Sequence, residues 1–244
     1  MSKPHLIMPM GGAGSRLYKN RYAQPKPLIE IQGRPFLYWS TLSIQKFIDI
    51  ADLTFVVLKQ HIEQFDIDKE IYKYFPNASI KTIPEVLPGP VFTSLCGVEK
   101  IYDDAPIIFN DCDHMFCCRE INRVLNGSSL VEDGVLLTFE SDGPQFSYVK
   151  YEDGRIVGTV EKQVVSNHAI CGAYIFKNAE IFKQAADKYI KDCPYNECFM
   201  SGVYNVLCGD KKVVKDYLLD FHVEFGTPEE YEIAKGSDKF QLFE

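Results

Sequence analysis

The feature that most restricts the fold of this chain is an alternation over its first half. Short apolar runs of strand length follow one another between segments of helical period. Leu6–Met10 predicts a buried strand that runs straight into Gly11-Gly12-Ala13-Gly14-Ser15-Arg16. From Pro35 to Ile50 apolar residues recur at helical spacing (Phe36, Leu37, Trp39, Leu42, Ile44, Phe47, Ile48), and Pro35 suits an early helical position. Leu53–Leu58 predicts a second strand, Ile62 to Tyr74 a weaker helix and Ser79–Ile83 a further strand. After a Pro/Gly loop from Pro84 to Pro90, a helix is expected from Val91 to Ile101, and then the strand Ile107–Phe109 leads into Asn110-Asp111-Cys112-Asp113. Such a series implies an α/β fold with a largely parallel sheet between helices. Ligands of these sheets gather where the carboxyl ends of strands meet their loops, so the glycine loop and the Asp111–Asp113 turn are expected on one edge.

The second half changes character. Gly134–Phe139 predicts a strand, and Tyr148–Tyr151 with Ile156–Val160 a hairpin around Glu152-Asp153-Gly154. A strand at Ala169–Phe176, helices at Ala179–Ile190 and Phe199–Leu207, and strands near Val213–Leu218 and Phe221–Phe225 follow. Thr227-Pro228-Glu229-Glu230 is a good helix start. No Gly/Ser-rich linker separates the halves, so the 244 residues are expected to form a single mixed α/β domain, with residues 1–139 and 140–244 as its two halves.

Charge and composition exclude several classes. Against 34 acidic residues stand 26 basic ones, a formal net of −8, and no Lys/Arg cluster offers a nucleic-acid polymer its footprint. No apolar run approaches the roughly 18 residues that span a bilayer, and the first ten residues lack the marks of a secretory signal. The expectation is therefore no membrane and a cytoplasmic location. None of the eight cysteines forms a C-x-x-C pair and the five histidines are scattered, so zinc is poorly supported and reduced, mostly buried thiols are expected.

Several short segments carry chemistry. Gly11, Gly12 and Gly14 let backbone N–H groups approach an anion, and Arg16 beyond Ser15 offers a bidentate fork to phosphate. Pro25 and Pro27 stiffen the chain around Lys26, which leaves its ammonium less entropy to lose. Asp111 and Asp113 follow an apolar strand, where carboxylates commonly hold Mg²⁺ against phosphates. Asp103-Asp104, before the same strand, reads as a solvated pair. Singly, the first segment is as well read as a glycine-rich turn, the second is better read as a solvated surface lysine, and the third has the alternative of a turn whose aspartates cap backbone donors.

Together their order is more telling. The series Gly11-Gly12-x-Gly14-x-Arg16, Pro25-Lys26-Pro27-Leu28, Asp111-x-Asp113, Glu161-Lys162, Gly172-x-Tyr174-x-Phe176 and Gly226-Thr227-Pro228 resembles the nucleoside-triphosphate transferase (sugar-nucleotidyltransferase-like) family from Leu6 to about Tyr231. The resemblance implies a Rossmann-like, mainly parallel sheet flanked by helices, with a small acceptor-side lobe. It implies a nucleotide-binding half followed by an acceptor-binding half. The loop Gly11–Arg16, including Gly12, Gly14 and Ser15, would wrap a triphosphate, with Met10 and Gly11 near the base. Arg16 would assist the departing pyrophosphate, and Lys26 would meet the α-phosphate. Asp113 would hold Mg²⁺, with Asp111 beside the nucleotide. Lys162 would face an acceptor phosphate, and Gly172 and Glu197 would line the acceptor pocket. The family's second metal aspartate falls at Glu224, a departure that moves the charge outward by one methylene, with Asp220 as an alternative ligand.

The base would be read by the first loop and by Glu85 to Ser94, through Gly89 and Thr93. That segment departs from the Gly-x-Ala or Gly-Thr-Ala element of many relatives. The resemblance extends to small standalone members that build surface-polysaccharide precursors, with CTP as the favoured nucleotide and a phosphorylated small molecule as acceptor. Two other classes compete: a glycosyltransferase, since Asp111-Cys112-Asp113 is literally D-x-D, and a catalytically silent nucleotide-binding protein. The first leaves the glycine loop and Pro25-Lys26-Pro27 unexplained, and the second leaves Lys26, Asp113 and Lys162 without a purpose.

Overall fold

A computed structural model describes residues 2–12, 14, 24–127 and 130–243. Strand β1 (His5–Met10) precedes the glycine loop, and a single 3-10 turn (Lys26–Leu28) leads to the short strands β2 (Glu30–Ile31) and β3 (Arg34–Pro35). Then come α1 (Phe36–Gln45), β4 (Asp52–Leu58), α2 (Lys59–Phe65), α3 (Ile67–Tyr74), β5 (Ser79–Ile83), α4 (Pro90–Gly97), β6 (Ile107–Asn110), β7 (His114–Cys117) and α5 (Arg119–Gly127). The remainder holds β8 (Gly134–Glu140), β9 (Ser147–Glu152), β10 (Arg155–Glu161), β11 (His168–Phe176), α6 (Ala179–Lys191), α7 (Met200–Gly209), β12 (Val214–Leu218), β13 (Phe221–Glu224) and α8 (Pro228–Ala234). A 3-10 segment (Asp238–Leu242) follows.

The expected mixed α/β architecture is present. β1 lies between β6 and β4 and runs parallel to both, with His5 opposite Ile107 on one side and Asp52 on the other. β5 extends this parallel set beyond β4. Side chains alternate along β1, so Leu6, Met8 and Met10 enter one apolar core while Ile7 enters another. Both sheet faces are thereby buried, which is why the first-half strands read as unbroken apolar runs. Helices α1, α3 and α5 supply Leu37, Ile71 and Ile121 to one face. Helices α4, α6 and α7 supply Val91, Phe182 and Tyr204 to the other. β11 adds to β6 antiparallel and carries β8 and β9, so the sheet continues unbroken from residues 1–139 into residues 140–244.

Three local outcomes differ from the sequence reading. The helix expected from Ile62 to Tyr74 breaks at Asp66, whose left-handed φ of 50° ends α2 while its carbonyl accepts from Lys69 and Glu70 at the start of α3. β7 was not expected, because a four-residue strand is legible only through its partner, and β13 lies about a hundred residues away. Asp103 and Asp104 are exposed as expected, yet Asp103 also accepts from His5 Nε2 at 3.0 Å.

All eight cysteines are unpaired, five of them buried. Among the described residues no helix is long and apolar enough to cross a membrane.

Candidate active site

The site forms at the carboxyl ends of β1 and β6, beside the middle of β11. Asp111 follows β6, and its N–H donates to Gly172 O at 3.0 Å. Gly172 sits where the β8–β11 register shifts, at a φ of +93°, and a Cβ there would stand 2.8 Å from Asp111 Oδ2. Only glycine lets the strand bend so close to that carboxylate. Asp113 is pinned from the other side, since Phe225 N donates to its carbonyl at 3.0 Å. A Cβ on Gly226 would collide with Asp113 Oδ2 and lie 3.2 Å from Lys26 Nζ.

Lys26 reaches this point from its rigid turn, where Leu28 N donates to Pro25 O at 2.9 Å. Ile29 and Ile31 bury themselves with Phe36, Trp39 and Phe225 in a third apolar cluster. The Lys26 and Gly226 segments thus share a core, and the Lys26 ammonium forms an ion pair with the Asp113 carboxylate. Arg16 and Ser15, both expected at the phosphates, lie outside the described residues.

Two chambers meet at Asp111 and Asp113. The first, of about 640 Å³, is lined by Gly11, Gly12, Gly14, Lys26, Gly89, Thr93 and Glu197. Gly11 packs so tightly that a Cβ would come 2.6 Å from Ile83 Cδ1 and 3.0 Å from Thr93 Cγ2. Met10 is buried and lines a smaller recess of about 200 Å³ beside Lys26. The second chamber, of about 250 Å³, is lined by Lys162, Glu161, Gly172, Phe199, Glu224 and Glu230. Glu197, expected in the same pocket as Lys162 and Gly172, instead faces the glycine loop. The reason is a seam: Cys198 N donates to Pro88 O at 3.1 Å and Val91 N to Cys198 O at 3.2 Å, which ties the residue beside Glu197 to the Pro88–Pro90 loop.

Electrostatics separate the carboxylates. Burial acts against the charged form of Asp113, but Lys26 outweighs it and holds Asp113 below the usual range. Lys26 itself is raised: burial pulls it down, and Asp113 more than compensates. Asp111 is pushed up to about 7 by burial and then by Asp113. Glu224 is pushed up to about 8 by burial, Glu230 and Asp113. One lysine therefore leaves the charge of Asp111, Asp113 and Glu224 incompletely offset. This all-oxygen set fits a hard divalent cation, which commonly takes one or two carboxylates and completes its shell with phosphate oxygens and water. Among the described residues no group of three or more His, Cys, Asp or Glu side chains is arranged to hold a metal ion by itself.

Glu224 reaches the site through the β7–β13 ribbon, where it stands opposite His114. Asp220 lies at the other end of that ribbon and is engaged by Arg119, whose backbone N donates to it at 2.7 Å and whose Nε donates at 2.6 Å. It is therefore not placed to replace Glu224.

Sequence reasoning missed the polar chain behind these residues. Asn110 Nδ2 donates to Ser40 O at 2.8 Å, which turns Asn110 Oδ1 toward His114 Nε2 at 3.0 Å. His114 Nδ1 then accepts from His222 Nε2 at 3.0 Å. Burial presses His114 down to about 4, so this link between β6, β7 and β13 is uncharged at neutral pH. Glu230 was legible only as part of a helix start. Its carboxylate accepts from Gly226 N at 3.0 Å and Thr227 N at 2.9 Å, closing a capping box beneath Asp113. Lys162, at a left-handed φ of 53°, places its ammonium 5.0 Å from the Phe199 ring centroid and, among the described residues, has no carboxylate partner.

A family model described as Nucleotidyl transferase matches residues 5–237. The chain belongs to the nucleotidyl transferase family. Its fold is similar to that of the nucleoside-diphosphate-sugar pyrophosphorylase from Vibrio cholerae, with a TM-score of 0.82 at 22% identity over 95% of this chain and 100% of that one. The inositol-1-phosphate CTP transferase from T. maritima aligns with a TM-score of 0.75 at 15% identity, over 99% of this chain and 94% of its own.

Proposed function

We propose that this enzyme transfers CMP from CTP to a small phosphorylated acceptor and releases pyrophosphate. The observation that carries the reading is Asp113, paired with Lys26 and exposed to both chambers at their junction. The glycine-loop chamber would take the nucleotide, through Gly11, Gly12 and Gly14, with Gly89 and Thr93 beside the base. An oxygen of the acceptor phosphate would attack the α-phosphorus, forming one P–O bond while the bond to the β-phosphate oxygen breaks and pyrophosphate leaves. Lys26 would offset charge developing on the α-phosphate, Lys162 would hold the acceptor phosphate, and Arg16 would accompany the pyrophosphate. Asp113 and Glu224, with Asp111 beside them, would hold Mg²⁺, which when bound neutralises phosphate charge.

The acceptor side is markedly acidic. Among the described residues that line it, the carboxyl groups of Asp111, Asp113, Glu161, Glu224 and Glu230 stand against the ammonium of Lys162. Glu161 Oε2 already accepts from Ser147 and Ser201, which leaves its other oxygen for a ligand. This supports an acceptor that carries an ammonium as well as a phosphate. The reading we favour is phosphoglutamine, as in the CTP:phosphoglutamine cytidylyltransferases of capsular phosphoramidate synthesis, and a place in surface-polysaccharide precursor synthesis. The test is a pyrophosphate-release screen of the four ribonucleoside triphosphates against phosphorylated acceptors that include phosphoglutamine and hexose 1-phosphates. Release with CTP and phosphoglutamine is expected. A purine preference overturns the cytidylyl assignment, a hexose 1-phosphate preference overturns the acceptor, and release with no pair overturns nucleotidyl transfer.

A further inference from the structure

The loop between α6 and α7 carries two thiols that the proposed reaction does not use. Cys193 is half-buried and Cys198 buried, in a Cys-x₄-Cys spacing, and Cys193 Sγ lies against the Glu197 carbonyl, on the peptide bond that leads into Cys198. Cys193 Sγ is 3.6 Å from the carbonyl oxygens of Tyr195 and Glu197, so the loop curls around it. Cys198 is also half of the seam between the chambers, through its backbone bonds to Pro88 and Val91. Gly89 leaves no slack there, because a Cβ would stand 2.5 Å from Cys198 N. Any displacement of Cys198 is passed to the Pro88–Val91 segment, and Pro90 lines both chambers.

We propose that Cys193 and Cys198 form a reversible disulfide by exchange with a low-molecular-weight disulfide such as glutathione disulfide, and that this bond displaces the seam and slows turnover. The Cys193 thiolate attacks one sulfur of glutathione disulfide, forming a mixed disulfide and releasing one glutathione thiolate. Cys198 then gives up its proton and attacks the Cys193 sulfur, releasing the second glutathione. Two protein thiols are oxidised and one glutathione disulfide is reduced to two glutathiones. Cys193 suits the first step by its exposure. Partial burial opposes its ionisation, but the polar groups around it outweigh that and lower its pKa. Cys198, pushed up to about 11 by burial and by Cys193, suits the second role. Burial above all raises Cys112 and Cys171 in the site itself, which makes them poor attackers. A disulfide holds its sulfurs about 2 Å apart, closer than any unbonded thiol contact, so bond formation draws Cys198 toward Cys193.

The loss of turnover rests on the nucleotidyl-transfer reading, whereas the crosslink does not. The full chain, reduced and then incubated with glutathione disulfide, is digested without reductant by trypsin and by a protease that cuts after glutamate. Residues 192–211 carry both cysteines and Cys208, and Glu197 divides the pair, so the two fragments remain joined only if Cys193 is bonded across the cut. A thiol-reversible link between Cys193 and Cys198 is expected, with a loss of up to about 10²-fold in kcat/KM for the nucleotide, the scale on which a misplacement of about 1 Å acts. Cys193→Ser is expected to keep the activity of the reduced enzyme and to lose the response to glutathione disulfide. Absence of the link, a link to Cys208 instead, an unchanged rate in the linked enzyme, or equal inactivation of Cys193→Ser would each overturn the proposal. A mapped link in a chain that releases pyrophosphate with no triphosphate would sink nucleotidyl transfer, and calorimetric CTP affinity before and after oxidation would then decide whether the seam moves.

Discussion

Lys26→Met separates catalysis from stability at the centre of the site. The substitution keeps the aliphatic stem and removes the ammonium that, among the described residues, pairs with Asp113. Activity should fall about 10²–10³-fold, the usual loss when a preorganised charge is removed from a developing anion. Stability should fall too. Breaking one side of a fully buried ion pair costs roughly 3–5 kcal/mol. Here 21% of the lysine side chain and 27% of the aspartate are exposed. Solvent screening then reduces the loss to about 1–2 kcal/mol. For a chain of 244 residues that is a Tm lower by about 3–6 °C, measured calorimetrically in chelator. Asp113 is held below its unfolded pKa by Lys26, so its contribution is present above the unfolded value and fades as pH falls through the folded one. The gap between wild type and variant should therefore be widest near neutrality and narrow below about pH 4. Adding Asp113→Asn to Lys26→Met should recover most of the lost stability and none of the activity, because the unpaired charge is gone. A double variant as unstable as the single one, or a single variant within a few-fold of wild-type turnover, would refute this account of the pair.

Other positions give simpler tests. Gly172→Ala forces a Cβ to 2.8 Å from Asp111 Oδ2 at a φ of +93°, and should cost ~1–3 kcal/mol in chemical denaturation together with most of the activity. On the proposed reading, Lys162→Ala should raise the acceptor KM at least about tenfold, the loss of one charge-assisted phosphate contact, with the nucleotide KM nearly unchanged. His5 is raised above its ordinary value, first by its hydrogen bond to Asp52, against burial, and then by Asp103. That stability is complete below the unfolded pKa of about 6.5 and is lost as pH rises through the higher folded value. His5→Gln should therefore lower Tm more at about pH 6 than at about pH 9, and an equal loss at both would argue that the ring only packs.

Much of the fold and of the site was legible along the chain because the signals are local. Apolar period and turn residues announce β1, β4, β6 and the helices between them, since each such element buries its own face whatever its partners. The glycine loop, the Pro-Lys-Pro turn and the Thr227 helix cap likewise follow from backbone chemistry within a few residues. Only the tertiary structure decided what required distant segments to meet. Pairing of β7 with β13 stands Glu224 opposite His114, next to Asp113, and leaves Asp220 at the far end of the ribbon, where it meets Arg119. The seam at Cys198 turns Glu197 toward the glycine loop, and the shared cluster of Ile29, Phe36 and Phe225 brings Lys26 to Gly226. Local sequence determines which way a residue faces on its own element, whereas what it faces depends on long-range packing that no short window contains.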